Sequence, residues 1–164
     1  NTTLITKYLK DITAAEFNAV VAGLLPAYMN NSNYTAIPNR LVIPAVDYYG
    51  LTAQMSETYP LRTKLDVLQS ALKEATGQGD FKILPLAYAD KARNSAISGL
   101  NKDRYLLYKK APDTVIMNVP LDFTVTLPGT ANSFDYTSAA YSRFTGVNAF
   151  RPLELLYFDL TAST

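Results

Sequence analysis

Between residues 115 and 127 apolar and polar side chains alternate for longer than most strands run. Val115, Met117, Val119, Leu121, Phe123, Val125 and Leu127 are apolar. Thr114, Asn118, Pro120, Asp122, Thr124 and Thr126 separate them, and only Ile116 breaks the pattern. A period of two is the pattern of an extended strand with one face covered and the other facing water or a partner. Thirteen residues at about 3.3 Å each would span roughly 43 Å, well beyond an ordinary globular strand. A one-residue slip would turn the whole row to the other face. The pattern therefore predicts one long strand whose apolar row is mostly buried in the intact subunit or in an assembly. A strand of that reach suits a subunit that must contact its neighbours.

Composition narrows the chemistry. The 164 residues include no His and no Cys, and 15 basic residues against 14 acidic ones leave a net charge of +1. Without Cys there is no disulfide, thiolate nucleophile or thiolate zinc site. Without His the usual general base near neutral pH and the commonest metal ligand are missing. Neither a catalytic group, a metal nor a cofactor is expected. The near-neutral balance gives no field for gripping nucleic acid. No apolar run approaches the roughly 18 residues of a membrane span, so no membrane partner is expected. The length suits a single domain over residues 1–164. Because the first residue is Asn1 and not Met, the chain is expected to be processed or a fragment.

Helical signals gather in the first half. Thr13-Ala14-Ala15-Glu16 has the form of a capping box, and Phe17, Val20, Val21, Leu24, Leu25 and Tyr28 follow at helical spacing. Pro26 and the run Asn30-Asn31-Ser32-Asn33 are expected to end that helix. Arg40-Leu41-Val42-Ile43 reads as a buried central strand, and Pro44 as the start of a short helix to about Ala53. Leu61, Leu65, Leu68, Leu72 and Ala75 predict a third helix that stops at Gly77. Strand signals fill the rest: residues 81–86, 104–110, the alternating stretch, and two C-terminal strands. Pro85 and Pro120 within them suggest edges or bulges. Helices early and strands late predict an α+β fold, with helices packed on a mostly antiparallel sheet that has long C-terminal strands.

Candidate sites are few. Asp47 with Glu57, or Asp122 with Asp135, could form carboxylate pairs, but no motif holds them, and solvated surface acids are the expected reading. Lys91, Arg93, Lys102, Arg104, Lys109 and Lys110 form a mild basic cluster around the polar segment 89–102. Interspersed Asp90, Asp103 and Asp113 dilute it, so a charged loop or a subunit contact is favoured over DNA binding. The twelve tyrosines, among them Tyr48, Tyr49, Tyr136 and Tyr141, suit protein interfaces and strand faces. A carbohydrate- or protein-binding module with a tyrosine-rich surface is the alternative. A pocket of convergent carboxylates and tyrosines would favour that alternative, and an exposed apolar face along 115–127 would favour assembly.

The order of elements resembles the major capsid (coat) protein of tailed double-stranded DNA phages, in an uncharacterised prophage branch. The resemblance rests on strand 81–88, a loop, and strand 103–110 with its Lys-Ala-Pro-Asp turn. Asn118-Val119-Pro120-Leu121-Asp122-Phe123 and strand 136–148 follow, then the step Phe150-Arg151-Pro152 before the last apolar strand. Pro120–Phe123 loosely matches a Pro-Leu-x-Phe element of the branch, and residues 146–152 a Gly-x-x-x-x-Arg-Pro element. The resemblance spans residues 13–160 and implies the tailed-phage major capsid fold, covering an axial domain and part of a peripheral one. The family's N-terminal arm, extended β-loop and spine helix have no counterpart here. It implies a structural, non-enzymatic virion protein, assembled in the host cytoplasm, that forms the shell around DNA. Partners would be copies of itself in capsomers and, non-specifically, packaged DNA, with no small-molecule substrate. In that fold the loop nearest the five- or sixfold axis corresponds to residues 89–102. Asp90, Lys91, Arg93, Asn94, Asn101 and Lys102 are therefore the expected subunit contacts, mobile in an isolated subunit and ordered on assembly.

Overall fold

The structure is a computed structural model and describes residues 5, 7–56, 59–126, 129–130, 136–143 and 145–160. In chain order the elements are α1 (Ala14–Asn31), β1 (Arg40–Pro44), α2 (Ala45–Gly50), β2 (Gln54–Ser56), β3 (Tyr59–Thr63), α3 (Lys64–Thr76), β4 (Lys82–Leu86) and α4 (Lys91–Ser98). The C-terminal half adds β5 (Asp103–Tyr108), β6 (Val115–Met117), β7 (Leu121–Val125), β8 (Gly129–Thr130), β9 (Tyr136–Thr137), β10 (Ala140–Arg143), β11 (Val147–Ala149) and β12 (Leu155–Leu160). Two compact units result. The first runs to Lys110 and resumes at Pro152, and the second is Ala111–Arg151.

The first unit is a four-stranded sheet in the order β12-β5-β1-β4 with α1 and α3 on one face. The β12–β5 and β5–β1 pairs are antiparallel and β1–β4 is parallel, so the sheet is mostly antiparallel, as expected. Alternation decides its two faces. Leu41 and Ile43, Ile83, Tyr105 and Leu107, and Leu156, Phe158 and Leu160 point into the core, where they meet Phe17, Leu24 and Tyr28 of α1 and Leu68 and Leu72 of α3. Pro85 lies on β4, an edge strand, where its missing N–H costs no ladder bond.

Local chemistry explains the helix boundaries. Thr13 caps α1: Glu16 N–H donates to its Oγ1 at 3.3 Å, while Thr13 N–H donates to Glu16 Oε2 at 2.8 Å. Pro26 was expected to end α1, but the helix runs through it to Asn31. Only one backbone bond is missing there, and burial of Leu24 and Tyr28 on either side holds the turn. The third helix begins at Lys64 with Thr63 as its cap, so Leu61 is not part of it. That residue lies on β3, fully in solvent, because β2 and β3 form a hairpin that apolar spacing alone did not announce. Gly77 closes α3 with φ 65°, a left-handed conformation that suits glycine. The segment 89–102, expected to be a mobile loop, contains α4, which Gly99 ends at φ 69°.

The second unit is a β-ribbon, not one unbroken strand. β6 pairs with β11, β7 with β10 and β8 with β9, all antiparallel. The register is shared from Ala149↔Val115 to Arg143↔Leu121. It slips by one residue before Ala140↔Val125, and by another before Gly129↔Thr137. The three short ladders are thus sections of two long arms. Pro120, which cannot donate, falls in the first gap. Thr145 N–H donates to Asn118 O at 2.9 Å, and Asn118 N–H to Thr145 Oγ1 at 3.2 Å, which bridges that gap. Leu127 lies outside the described residues.

Candidate assembly surfaces

On the ribbon, cross-strand pairing puts Val115 with Ala149, Met117 with Val147, and Val125 with Ala140. The shared register puts Val115, Met117 and Leu121 on one face. However, β7 carries an extra residue between Leu121 and Thr124, which turns Val125 to the other face, so the odd-numbered row does not keep the single face that the alternation predicts. The row is nonetheless uncovered. Met117, Val119, Leu121, Val125 and Val147 are 40–68 % exposed, Phe123 is 68 % exposed, and Val115 is half-buried. Burial within the subunit is thereby corrected. A two-stranded ribbon has no second layer of its own, and isolated two-stranded structures are marginal in water. At the ribbon's base Arg151 and Asp113 form an ion pair at 3.2 Å.

In the first unit α4 organises the expected contact residues. Asp90 is its N-cap, yet its side chain accepts from Val46 N–H at 3.4 Å and does not cap the helix. The first helical N–H, that of Lys91, donates instead to Asp103 Oδ1 at 2.7 Å. Asn94 Nδ2 donates to Lys102 O, and Arg93 and Asn101 are exposed. The six residues form one neighbourhood, and a cleft lined by Tyr8, Asp90, Lys91, Ser95, Asn101 and Asp103 opens there. Part of the basic cluster is already neutralised: Arg104 Nε and Nη2 donate to Asp159 at 2.6 and 2.9 Å, holding that carboxyl below its ordinary range.

The face of the sheet away from the helices carries a second cleft of about 450 Å³, lined by Val42, Leu86, Tyr88, Leu106, Arg104 and Tyr157 among others. It has tyrosines but no carboxylate in its lining, whereas the cleft beside α4 does bring Tyr8 together with Asp90 and Asp103, where the tyrosine hydroxyl is already bonded to Asp103. Among the described residues no three metal-ligating side chains cluster, and no helix is long and apolar enough to cross a membrane.

One carboxylate is misplaced by the surface-acid reading. Asp47 is fully buried on α2, accepting from Leu9 N–H at 3.1 Å, Lys10 N–H at 2.9 Å and Tyr105 Oη at 2.7 Å. Burial pushes its carboxyl up, against the hydrogen bonds that pull it down. Opposite, Lys64 is 7 % exposed, and its ammonium donates to the carbonyls of Leu9, Lys10 and Ile12. Nothing in the sequence flags either residue, since their partners are backbone groups and, for Asp47, a tyrosine hydroxyl 58 residues away. Asp122 is exposed as expected, whereas Glu57 and Asp135 lie outside the described residues.

Comparison with known proteins places this arrangement. The major capsid protein family is matched over residues 5–160. The chain belongs to that family. Among solved structures it is similar to a chain in the capsid of Myoviridae phage XM1, at 13 % identity with a TM-score of 0.73, covering 94 % of this chain and 49 % of that one. It is also similar to a virus-like particle from Pyrococcus furiosus, at 18 % identity with a TM-score of 0.57, covering 89 % and 52 %. The chain thus spans about half the length of these capsid chains. No curated protein matches. The α+β capsid fold expected from the element order is the fold observed, and the family is one of structural proteins.

Proposed function

We propose that this chain is a shell-forming structural subunit whose partners are copies of itself, with the first unit as its axial domain and the ribbon as part of its peripheral domain. The observation that carries the reading is the row of uncovered apolar side chains along the ribbon, in a chain whose family is that of major capsid proteins. In water that row is a liability, and between subunits it is a contact. The reading assigns Asp90, Lys91, Arg93, Asn94, Asn101 and Lys102 to the contact around the capsomer axis. There a head-to-tail ring brings one patch against a different patch of the next copy. The subunit acts without catalysis, in the virion shell, after assembly in the host cytoplasm. Contact with packaged DNA is non-specific and weak, in keeping with a net charge of +1. The test reverses Lys91 and Arg93 to Glu and follows shell formation by electron microscopy beside subunit melting. Fewer shells with unchanged melting is the expected result. Normal shells from the double reversal would remove α4 from the capsomer contact.

A further inference from the structure

The segment that leads into α1 is held by more polar contacts than its length requires. Over residues 8–12 the backbone is gripped from both sides: the Asp47 carboxylate on α2 takes two of its N–H groups, and the Lys64 ammonium on α3 serves three of its carbonyls. Leu9 and Ile12 are buried in the core. The Lys10 side chain runs so close over Gly50, the last residue of α2, that a Cβ built there would lie 2.8 Å from Lys10 Cβ. Tyr8 adds a third attachment, since its Oη donates to Asp103 Oδ2 at 2.7 Å.

Asp103 is the junction. It is 5 % exposed, and its second oxygen accepts the first helical N–H of α4. The N-cap residue of α4, Asp90, provides no side-chain cap. One buried carboxylate therefore divides its two oxygens between the lead-in segment and the start of α4. A buried carboxylate deprived of one donor is poorly compensated and shifts toward any group that can replace it, water included.

We propose that residues 8–12 form a strap whose seating on α2 and α3 keeps α4 ordered, with Asp103 carrying the coupling from Tyr8 to the N-terminus of α4. Unseating the strap frees the Tyr8 hydroxyl from Asp103, the carboxylate turns outward, and α4 loses its cap and frays. The expectation of a segment ordered only under some conditions then has a physical trigger at the opposite end of a hydrogen-bond chain. The consequence for assembly rests on the reading of α4 given above, whereas the coupling does not.

The test is backbone amide exchange by NMR on the chain carrying Gly50→Ala, which pushes Lys10 away from α2. The Leu9 and Lys10 amides and the Arg93 and Asn94 amides of α4 are expected to exchange at least about tenfold faster, while those of Leu68 and Leu72 in α3 keep their rates. Tyr8→Phe, which deletes only the strap's bond to Asp103, is expected to accelerate the same α4 amides. Faster exchange in the strap with α4 unchanged overturns the proposal. So does a uniform acceleration that includes α3, and so does the absence of any α4 response to both substitutions. Shell formation by Gly50→Ala separates the two readings. A coupled amide response with normal shells supports the strap and removes α4 from the capsomer contact.

Discussion

Replacing Phe123 with Ala separates a ribbon that waits for a partner from a strand already built into a core. With Phe123 68 % exposed, about 130 Å² of a side chain that offers roughly 200 Å² is still open to water. About a third, roughly 65 Å², is covered within the subunit, so removing the ring costs the isolated chain about 1.5 kcal/mol or less at ~25 cal/mol per Å². That corresponds to a drop in Tm of at most about 3–6 °C. If assembly covers the open part, about 100 Å² of it belongs to ring atoms that Ala lacks, or about 2.5 kcal/mol per contact. At 1.4 kcal/mol per decade, the subunit concentration needed for shells should rise by about 60-fold. Calorimetry of the unassembled chain and sedimentation of particles across a concentration series read the two quantities separately. The reasoning fails if Tm falls by the amount expected of a buried phenylalanine, about 3–5 kcal/mol, while the assembly threshold stays where it was.

Pro26→Ala should raise Tm, because it restores an N–H inside α1 and removes a helix-interior proline, a gain of about 1–3 kcal/mol by thermal melting. Gly77→Ala should cost about 1 kcal/mol, since the helix end holds φ 65°. Asp159→Asn breaks the bidentate pair with Arg104 and should cost about 1–3 kcal/mol at neutral pH. The Asp159 carboxyl is held below its ordinary range in the folded chain, so the unfolded chain takes up that proton first on acidification. The advantage of the parent over Asp159→Asn is therefore full above the ordinary aspartate range and closes as pH falls through the lowered value, which denaturant melts at several pH values will show.

The mostly antiparallel sheet, the helix caps at Thr13 and Gly77 and the extended character of the ribbon are legible because each rests on local patterning. The capping box at Thr13 and Glu16, the apolar run of β1 between flanking strands, and the shared parity of Val115, Met117 and Leu121 all follow from periodicity and short-range hydrogen bonding. Whether a face is covered is a different question, since alternation reports that a side wants burial but not what supplies it. Phe123 is therefore exposed, and the bulge between the Leu121 and Thr124 pairings breaks the parity that periodicity alone assigns it. Helix α4 was read as a loop because its sequence, Lys-Ala-Arg-Asn-Ser-Ala-Ile-Ser, has neither an apolar stripe nor a capping box of its own. Its cap comes from Asp103, twelve residues on at the start of β5, a spacing no local capping pattern covers. Asp47 and Lys64 are illegible for the same reason: their partners are backbone groups of a segment more than thirty residues from Asp47 and fifty from Lys64, with the Tyr105 hydroxyl 58 residues beyond Asp47, and no local pattern records such contacts.

The register Tyr108↔Leu155 means that the chain departs for the ribbon and returns at adjacent places on the sheet. A load arriving through the ribbon thus enters β5 and β12 from the same end and tends to peel them apart rung by rung, which antiparallel strands resist far less than sliding. Asn39 stands at that point. Its Oδ1 accepts from Lys110 N–H at 2.7 Å, and its Nδ2 donates to Lys110 O at 3.3 Å. These two bonds tie the outgoing end of β5 sideways to β1, the central strand, so Asn39→Ala is expected to lower the force at which the sheet begins to unzip.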